Sequence, residues 1–395
     1  MSSQPTSSQY RKTFERKQHA PSLLVRFISR RFAGFSHGTI CIHFPNGESF
    51  SHTGEQDGPG AILNIRRWRG IIRLFTEGDI GLAAAYMDGD WTTEDLKSVL
   101  DYGLANEQAM ATSARGANII HTLNLLRHRL RVNSRKGSKR NIAAHYDLGN
   151  QFYSHWLDKG MQYSSALYEN NNESLASAQD RKLQRIESLL DLEGGENVLE
   201  IGCGWGAIAE RLVTRHNCTV TGITLSKEQA EFARNRLDTN DIADKAQIEL
   251  RDYRDINQTY DRIVSIEMFE AVGIKFWPVY FQKVAQSLNT GGNAVLQVIT
   301  IADRYFEQYQ KKPDFIQKYI FPGGMLPTKS ALRDGAQQAG LQIVEQEHFG
   351  KSYEYTLEAW RQAFHKNWDK IAPLGFDDRF RRMWHYYLCY CEAGF

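Results

Sequence analysis

Short apolar runs recur through the second half of the chain at 197–201, 218–223, 246–250, 260–266 and 292–299. Their length and branched side chains suit buried strands. Between them, 206–215, 226–238 and 276–288 space their apolar residues three and four apart, as does 175–191 ahead of the first run. That spacing is helical. Strand and helix in alternation predict an α/β fold with a doubly wound, mostly parallel sheet and helices on both faces. Residues 341–348 supply a later strand.

The first half reads differently. Residues 21–32 predict a basic amphipathic helix, and 38–44 and 49–52 predict strands joined by a turn at Pro45-Asn46-Gly47. Residues 61–76 fit strand or helix, 78–90 form a small-residue helix ending near glycine, and 93–131 look helical. A basic linker begins at Lys136. The expected organisation is a polar, disordered tail over 1–20, a smaller α+β domain over 21–135, and a larger α/β domain over 136–395.

Composition narrows the class. The chain has 395 residues, 42% hydrophobic and 24% charged, which is globular. No apolar run is long enough to span a bilayer, and the N-terminus carries no signal-peptide core. The five cysteines, at 41, 203, 218, 389 and 391, are scattered, without zinc or redox spacing. They suit a reducing cytoplasm. Charge is uneven. Residues 1–140 hold 20 Lys and Arg against 12 Asp and Glu, so the remainder is acidic by six. The basic clusters at 11–17, 26–31, 66–73 and 127–140 predict contact with an anionic membrane surface, or a solvated basic face.

The most informative motif is Val198-Leu-Glu-Ile-Gly-Cys-Gly-Trp-Gly206, a strand running into a glycine turn that opens a helix. This is a nucleotide-cofactor pattern. The spacing is not that of a dinucleotide fold, and the second strand ends Gly222-Ile-Thr224-Leu-Ser226 without the ribose-binding carboxylate. No Gly-Lys-Ser/Thr follows, which excludes a phosphate loop. Glu200 precedes the turn, and the third strand ends at Arg251-Asp252-Tyr253, an acid and an aromatic suited to an adenine. S-adenosylmethionine, which has no phosphate, fits best. Methyl transfer is therefore the expected chemistry.

Further segments carry a resemblance: His145–Asn150, Met161–Ser164, Phe269–Gly273, Tyr319–Gly324 and Tyr386–Phe395, with Ala85–Gly89 nearer the start. Together they resemble the cyclopropane-fatty-acyl-phospholipid synthases, a family that includes the mycolic acid cyclopropane synthases. The resemblance implies a seven-strand type of methyltransferase sheet with an acyl-binding insertion at about 300–335. It implies methyl transfer from S-adenosylmethionine to the cis double bond of a phospholipid acyl chain, giving a cyclopropane. The enzyme would lie peripherally on the cytoplasmic face of the membrane, with a homodimer as one possible assembly.

That reaction sets physical demands. An alkene is a weak nucleophile, so alignment supplies much of the rate. The carbocation formed must be kept from water and near electron-rich faces. A base must then remove a proton from the new methyl group. In the family that base resembles a bound bicarbonate, held by a cysteine backbone, a glutamate, a histidine and a tyrosine. The matching positions are Ser165 for the cysteine, Glu270, Gln297 for the histidine, and Tyr387. Glu267 stands where many members have glycine, although Glu-Met-x-Glu-Ala-Val-Gly is usual in a plant-like branch. A carboxylate there repels bicarbonate if it faces the pocket. Methyl-donor contacts carry over as Tyr163, Ser164, Gly202, Gly204, Thr224, Gln229, Tyr253 and Ile266. Cys391 falls in a C-terminal segment where the family has an active-site cysteine.

Family members continue past the Ala-Gly-Phe at which this chain ends with a final strand, so that strand is expected to be missing. The altered base pocket leaves open a methylene or methyl-branched product from the same cation. A lipid-binding homologue without catalysis is a second alternative. Nucleic-acid methylation has only the basic N-terminus in its favour.

Overall fold

The computed structural model describes residues 22–113, 137 and 148–395. The tail 1–20, the predicted helical stretch beyond 113, the linker and basic cluster at 127–140 apart from Gly137, and His145 of the first family segment lie outside the described residues. Contacts divide the chain into two compact units. One combines the residues up to 122 with 376–395, and the other holds 123–375.

The first unit carries a four-stranded sheet, in the order β2-β1-β3-β4. Its strands are β1 (His37–His43), β2 (Ser49–Thr53), β3 (Gln56–Ile65) and β4 (Trp91–Thr92). β1 and β2 form the hairpin the turn signal predicts, and β1 also pairs in parallel with β3. The basic helix spans Leu23–Phe32, with Ser22 capping it by accepting from the Val25 N–H. The ambiguous stretch after residue 61 is strand to Ile65, then a helix over Trp68–Met87 broken at Gly78, which holds φ 64°. The helices Trp68–Met87 and Leu96–Ala105 pack against Asp378–Gly394. The expected single domain over 136–395 therefore gives up its last helix: buried Trp384, Tyr386 and Leu388 belong to the core of the first unit.

The basic cluster at 66–73 is partly spent internally. Arg67, Arg69 and Arg73 all pair with Asp90, which is fully buried. Arg73 also pairs with Asp88 at 2.6 Å.

The second unit is built on a parallel five-stranded sheet, β7-β6-β5-β8-β9. These are β5 (Asn197–Ile201), β6 (Thr219–Thr224), β7 (Ala246–Leu250), β8 (Tyr260–Ile266) and β9 (Leu288–Gln297). β5 lies at the centre and is buried on both faces from Val198 onward, as its unbroken apolar run requires. Helices Leu175–Leu190, Ala207–His216 and Lys227–Thr239 cover one face, with Leu183, Leu212, Ala230 and Val220 in one core cluster. Trp277–Ser287 covers the other, where Phe269, Tyr280, Phe281 and Ile263 cluster. The chain reverses direction of sheet growth at β5, and there the strand ends leave a crevice.

The strand expected at 341–348 does not form. Leu341 packs against the core, but 342–348 run exposed, with Val344 85% accessible. Arg185 holds this segment through Glu345 and Glu347. Among the described residues β9 pairs only with β8, and 341–348 do not take up its open outer edge.

Candidate active site

Two glycines shape the turn after β5. Gly202 holds φ 83°, and a Cβ there would come within 2.8 Å of Met268 Cγ. Gly204 holds φ 51° with open space around it, so backbone is bared towards the crevice. The Gly202 and Cys203 N–H groups donate to the Ile223 carbonyl at 2.9 and 3.0 Å, which fastens the turn to β6. A cavity opens over this turn at the ends of β5, β6 and β8.

Most of the expected donor-binding residues line that cavity: Tyr163, Ser164, Gly202, Gly204, Thr224, Gln229, Tyr253 and Ile266. Thr224 Oγ1 donates to Gln229 Oε1 at 2.9 Å and accepts from the Ser226 N–H, which starts the next helix. A hydroxyl and an amide thus stand where a dinucleotide fold has its carboxylate. Asp252 does not join them. Its carboxylate is gripped by Arg254 at 2.6 and 2.7 Å, and the cavity wall takes Arg251 and Tyr253 instead. Apolar Ile201, Ile223, Ile266 and Tyr253 give faces for a purine, and the glycine turn gives a bare backbone. These features fit S-adenosylmethionine.

Tyr163 stands on the loop that closes the cavity from the opposite side. Its ring lies 5.5 Å from Tyr153, 5.4 Å from Trp156 and 5.3 Å from Trp360. Phe321, from the expected acyl-binding insertion, lies 6.4 Å away. Tyr163 thus lines the cavity from within an aromatic cluster. Within the insertion, the Met325 N–H donates to the Glu270 carbonyl at 2.8 Å, which anchors it beside the acidic residues.

Those acids form a tight group. Glu267 follows β8 directly at φ 49°. Its Oε1 accepts from the Ser165 N–H at 2.9 Å and from Gln297 Nε2 at 2.8 Å, and its Oε2 accepts from the Tyr353 hydroxyl at 2.8 Å. Glu270 accepts the Ile299 N–H on Oε1 at 2.5 Å, while its buried Oε2 has no hydrogen-bond partner. Burial, with the nearby Glu267 charge, pushes the Glu270 carboxyl up to about 8. Burial also pushes Glu200, beside the turn, up to about 8.

The structure thus brings Ser165, Gln297, Glu267 and Glu270 together. Tyr387 and Cys391 lie on the helix Asp378–Gly394 of the first unit. Tyr387 is buried with its ring 5.2 Å from Trp384, and Cys391 is half-buried. The tyrosine that reaches the carboxylates is Tyr353, on the helix Gly350–Lys366.

One lining residue escaped the sequence reading. Lys182 is buried, lines the cavity and donates to Ser164 Oγ at 2.8 Å. Burial lowers its ammonium to about 8. The signal was present: Ala178, Lys182, Ile186 and Leu190 form one buried stripe at spacing four. A lysine on an apolar stripe needs a reason.

Known proteins bear on this geometry. Residues 133–395 match the family model for mycolic acid cyclopropane synthetase. The chain is 36% identical over 356 residues to the tuberculostearic acid methyltransferase UfaA1 of Mycobacterium tuberculosis, covering 87% of this chain and 82% of that protein. It is 38% identical over 335 residues to the cyclopropane-fatty-acyl-phospholipid synthase of Escherichia coli, covering 82% and 81%. Among solved structures, the cyclopropane synthase MmaA2 from Mycobacterium tuberculosis superposes with a TM-score of 0.60 at 28% identity, covering 64% of this chain and 92% of that one. The mycolic acid cyclopropane synthase CmaA1 complexed with SAH and CTAB superposes equally well, with a TM-score of 0.60. The chain belongs to the mycolic acid cyclopropane synthetase family of S-adenosylmethionine-dependent methyltransferases.

Proposed function

We propose that this enzyme transfers a methyl group to the cis double bond of an unsaturated acyl chain in a membrane phospholipid and closes a cyclopropane ring. The observation that carries the reading is the pairing of a donor cavity with an aromatic wall and a buried carboxylate pair on one side of it. When bound, S-adenosylmethionine supplies an electrophilic methyl. Gly202 and Gly204 would admit it closely, and Thr224, Gln229, Tyr253 and Ile266, which line the same cavity, would hold it. Tyr163 and the rings around it exclude water and offer negative π-faces to a cation on the acyl chain. The relatives with fatty-acyl names support the substrate class.

The first unit serves access to the bilayer in this reading. Leu23 and Phe27 are 84% and 47% exposed on the basic helix, with Arg26, Arg30 and Arg31 beside them. Ile72 is exposed on the helix that Phe27 meets through Phe75, 5.7 Å away. Apolar tips among arginines suit an anionic interface. No helix among the described residues is long and apolar enough to cross a membrane.

The test is direct. The purified chain is incubated with vesicles of an unsaturated anionic phospholipid and methyl-labelled S-adenosylmethionine. The expected result is labelled fatty acid heavier by one carbon and two hydrogens that resists mild hydrogenation. Uptake of hydrogen would identify a methylene product instead. No label in lipid, with donor binding intact, would leave a lipid-binding protein.

A further inference from the structure

Ring closure needs a proton acceptor, and the bicarbonate implied by the resemblance does not fit this site. The groups that would hold it are already engaged. The Ser165 N–H, Gln297 Nε2 and Tyr353 hydroxyl come from a loop, from β9 and from the helix Gly350–Lys366, and all three donate to the Glu267 carboxylate at 2.8–2.9 Å. A carboxylate and a bicarbonate share a planar O–C–O group and a single negative charge. An ion entering here would have to displace a tethered group of the same shape and charge, beside a second carboxyl.

The backbone gives an independent sign. Glu267 sits at φ 49°, in the left-handed region, where a side chain costs about 1 kcal/mol or more. Its N–H is fixed to the Gln297 carbonyl at 2.8 Å. The conformation is one glycine adopts freely, and glycine is what many members of the resembled family have at this position. Here the chain keeps the glycine geometry and adds a carboxylate. Such strain persists where surrounding contacts enforce it, characteristically at functional sites.

Glu267 also faces the right way. It lines the donor cavity together with Ile266, Met268, Ser164 and Lys182. We infer that Glu267 is the proton acceptor of this enzyme, its carboxylate standing permanently in the place of bicarbonate on Ser165, Gln297 and Tyr353. This rests on the methyl-transfer reading above. In that reaction the electron pair of the double bond forms the bond to the methyl carbon, and the sulfur–methyl bond breaks towards sulfur. The acyl chain is left as a carbocation. Glu267 takes a proton from the new methyl group, the C–H electron pair closes the ring, and the carboxyl ends protonated. Glu270 is held neutral by burial and by the charge beside it. Burial raises Glu267 as well, against the three donors and Lys182.

The test uses the whole chain, two variants and carbon-dioxide-free buffer. Glu267→Gly opens the seat and relieves the backbone; Glu267→Gln keeps it filled with a group that cannot accept the proton. Wild type should turn over at an unchanged rate without bicarbonate. Both variants should lose at least about a hundredfold, with thermal stability and SAH affinity retained. Added bicarbonate should restore Glu267→Gly and leave Glu267→Gln inactive. In parallel, 13C-labelled bicarbonate observed by NMR should bind Glu267→Gly saturably and wild type not at all. Wild-type turnover that needs bicarbonate, or saturable bicarbonate binding to wild type, would overturn the inference. So would a Glu267→Gly variant that stays inactive with bicarbonate bound, because the glutamate would then only tie the loop. The binding arm reads the seat whatever the lipid substrate proves to be, so failure of the methyl-transfer reading remains separately visible.

Discussion

Glu200 shows how much a single buried carboxyl can reveal. It is the last residue but one of β5, lies next to the glycine turn, and has one oxygen without a partner. Burial raises it from the ordinary carboxylate range to about 8, so the folded chain holds a proton there at neutral pH that the unfolded chain has released. A raised carboxyl stabilises fully below its unfolded pKa and loses that contribution as pH climbs through the folded value. Unliganded wild type should therefore lose stability between about pH 4.5 and 8, at up to about 1.4 kcal/mol per pH unit for each such group. Glu200→Gln should flatten one share of this decline, leaving that of Glu270; urea unfolding across the range measures it, and parallel curves for the two proteins would refute the assignment. At this scale the sequence was uneven. Local motifs pointed to cavity-lining residues, since Gly202, Thr224 and Gln229 stand at or just beyond the ends of their strands. The tyrosine on Glu267 was not legible, because Tyr353 reaches it from 86 positions away. The pairing of Asp252 with Arg254, two residues on, was not read from the sequence either.

Elements that bury a continuous apolar run were readable to the residue. β5 and β8 begin and end where their runs do, because both faces of a central parallel strand meet helices. The stretch at 341–348 has the same apolar alternation but no partner, and pairing is information a local pattern does not carry. Amphipathicity placed the helix Leu23–Phe32 correctly, yet the neighbouring basic cluster was overvalued, since Arg67, Arg69 and Arg73 serve Asp90. That sharpens the lipid prediction. Replacing Leu23 and Phe27 with serine should weaken binding to anionic vesicles roughly tenfold or more, from about 1.5–3 kcal/mol for each side chain fully withdrawn from water. Co-sedimentation should also show wild-type binding falling with salt. Equal binding by the double variant would remove this helix from the interface.

The whole molecule carries its most telling property in its connectivity. The first unit takes its sheet from the start of the chain and the helix Asp378–Gly394 from its end, with the methyltransferase unit between. Deleting 376–395 should therefore damage the first unit, whose helices Trp68–Met87 and Leu96–Ala105 lose their cover, while 148–375 keep their core. Hydrogen exchange of the shortened chain should show fast exchange at 68–105 and native protection at β5 and β8; uniform loss of protection would mean that the units fold as one. There is a consequence for synthesis. A ribosome delivers this chain from its first residue, so the helices Trp68–Met87 and Leu96–Ala105 wait, one face uncovered, until Asp378–Gly394 has been made. The unit that handles the methyl donor can complete itself first. The first unit completes itself only after that, which makes the interval before it the one in which a chaperone has most to protect.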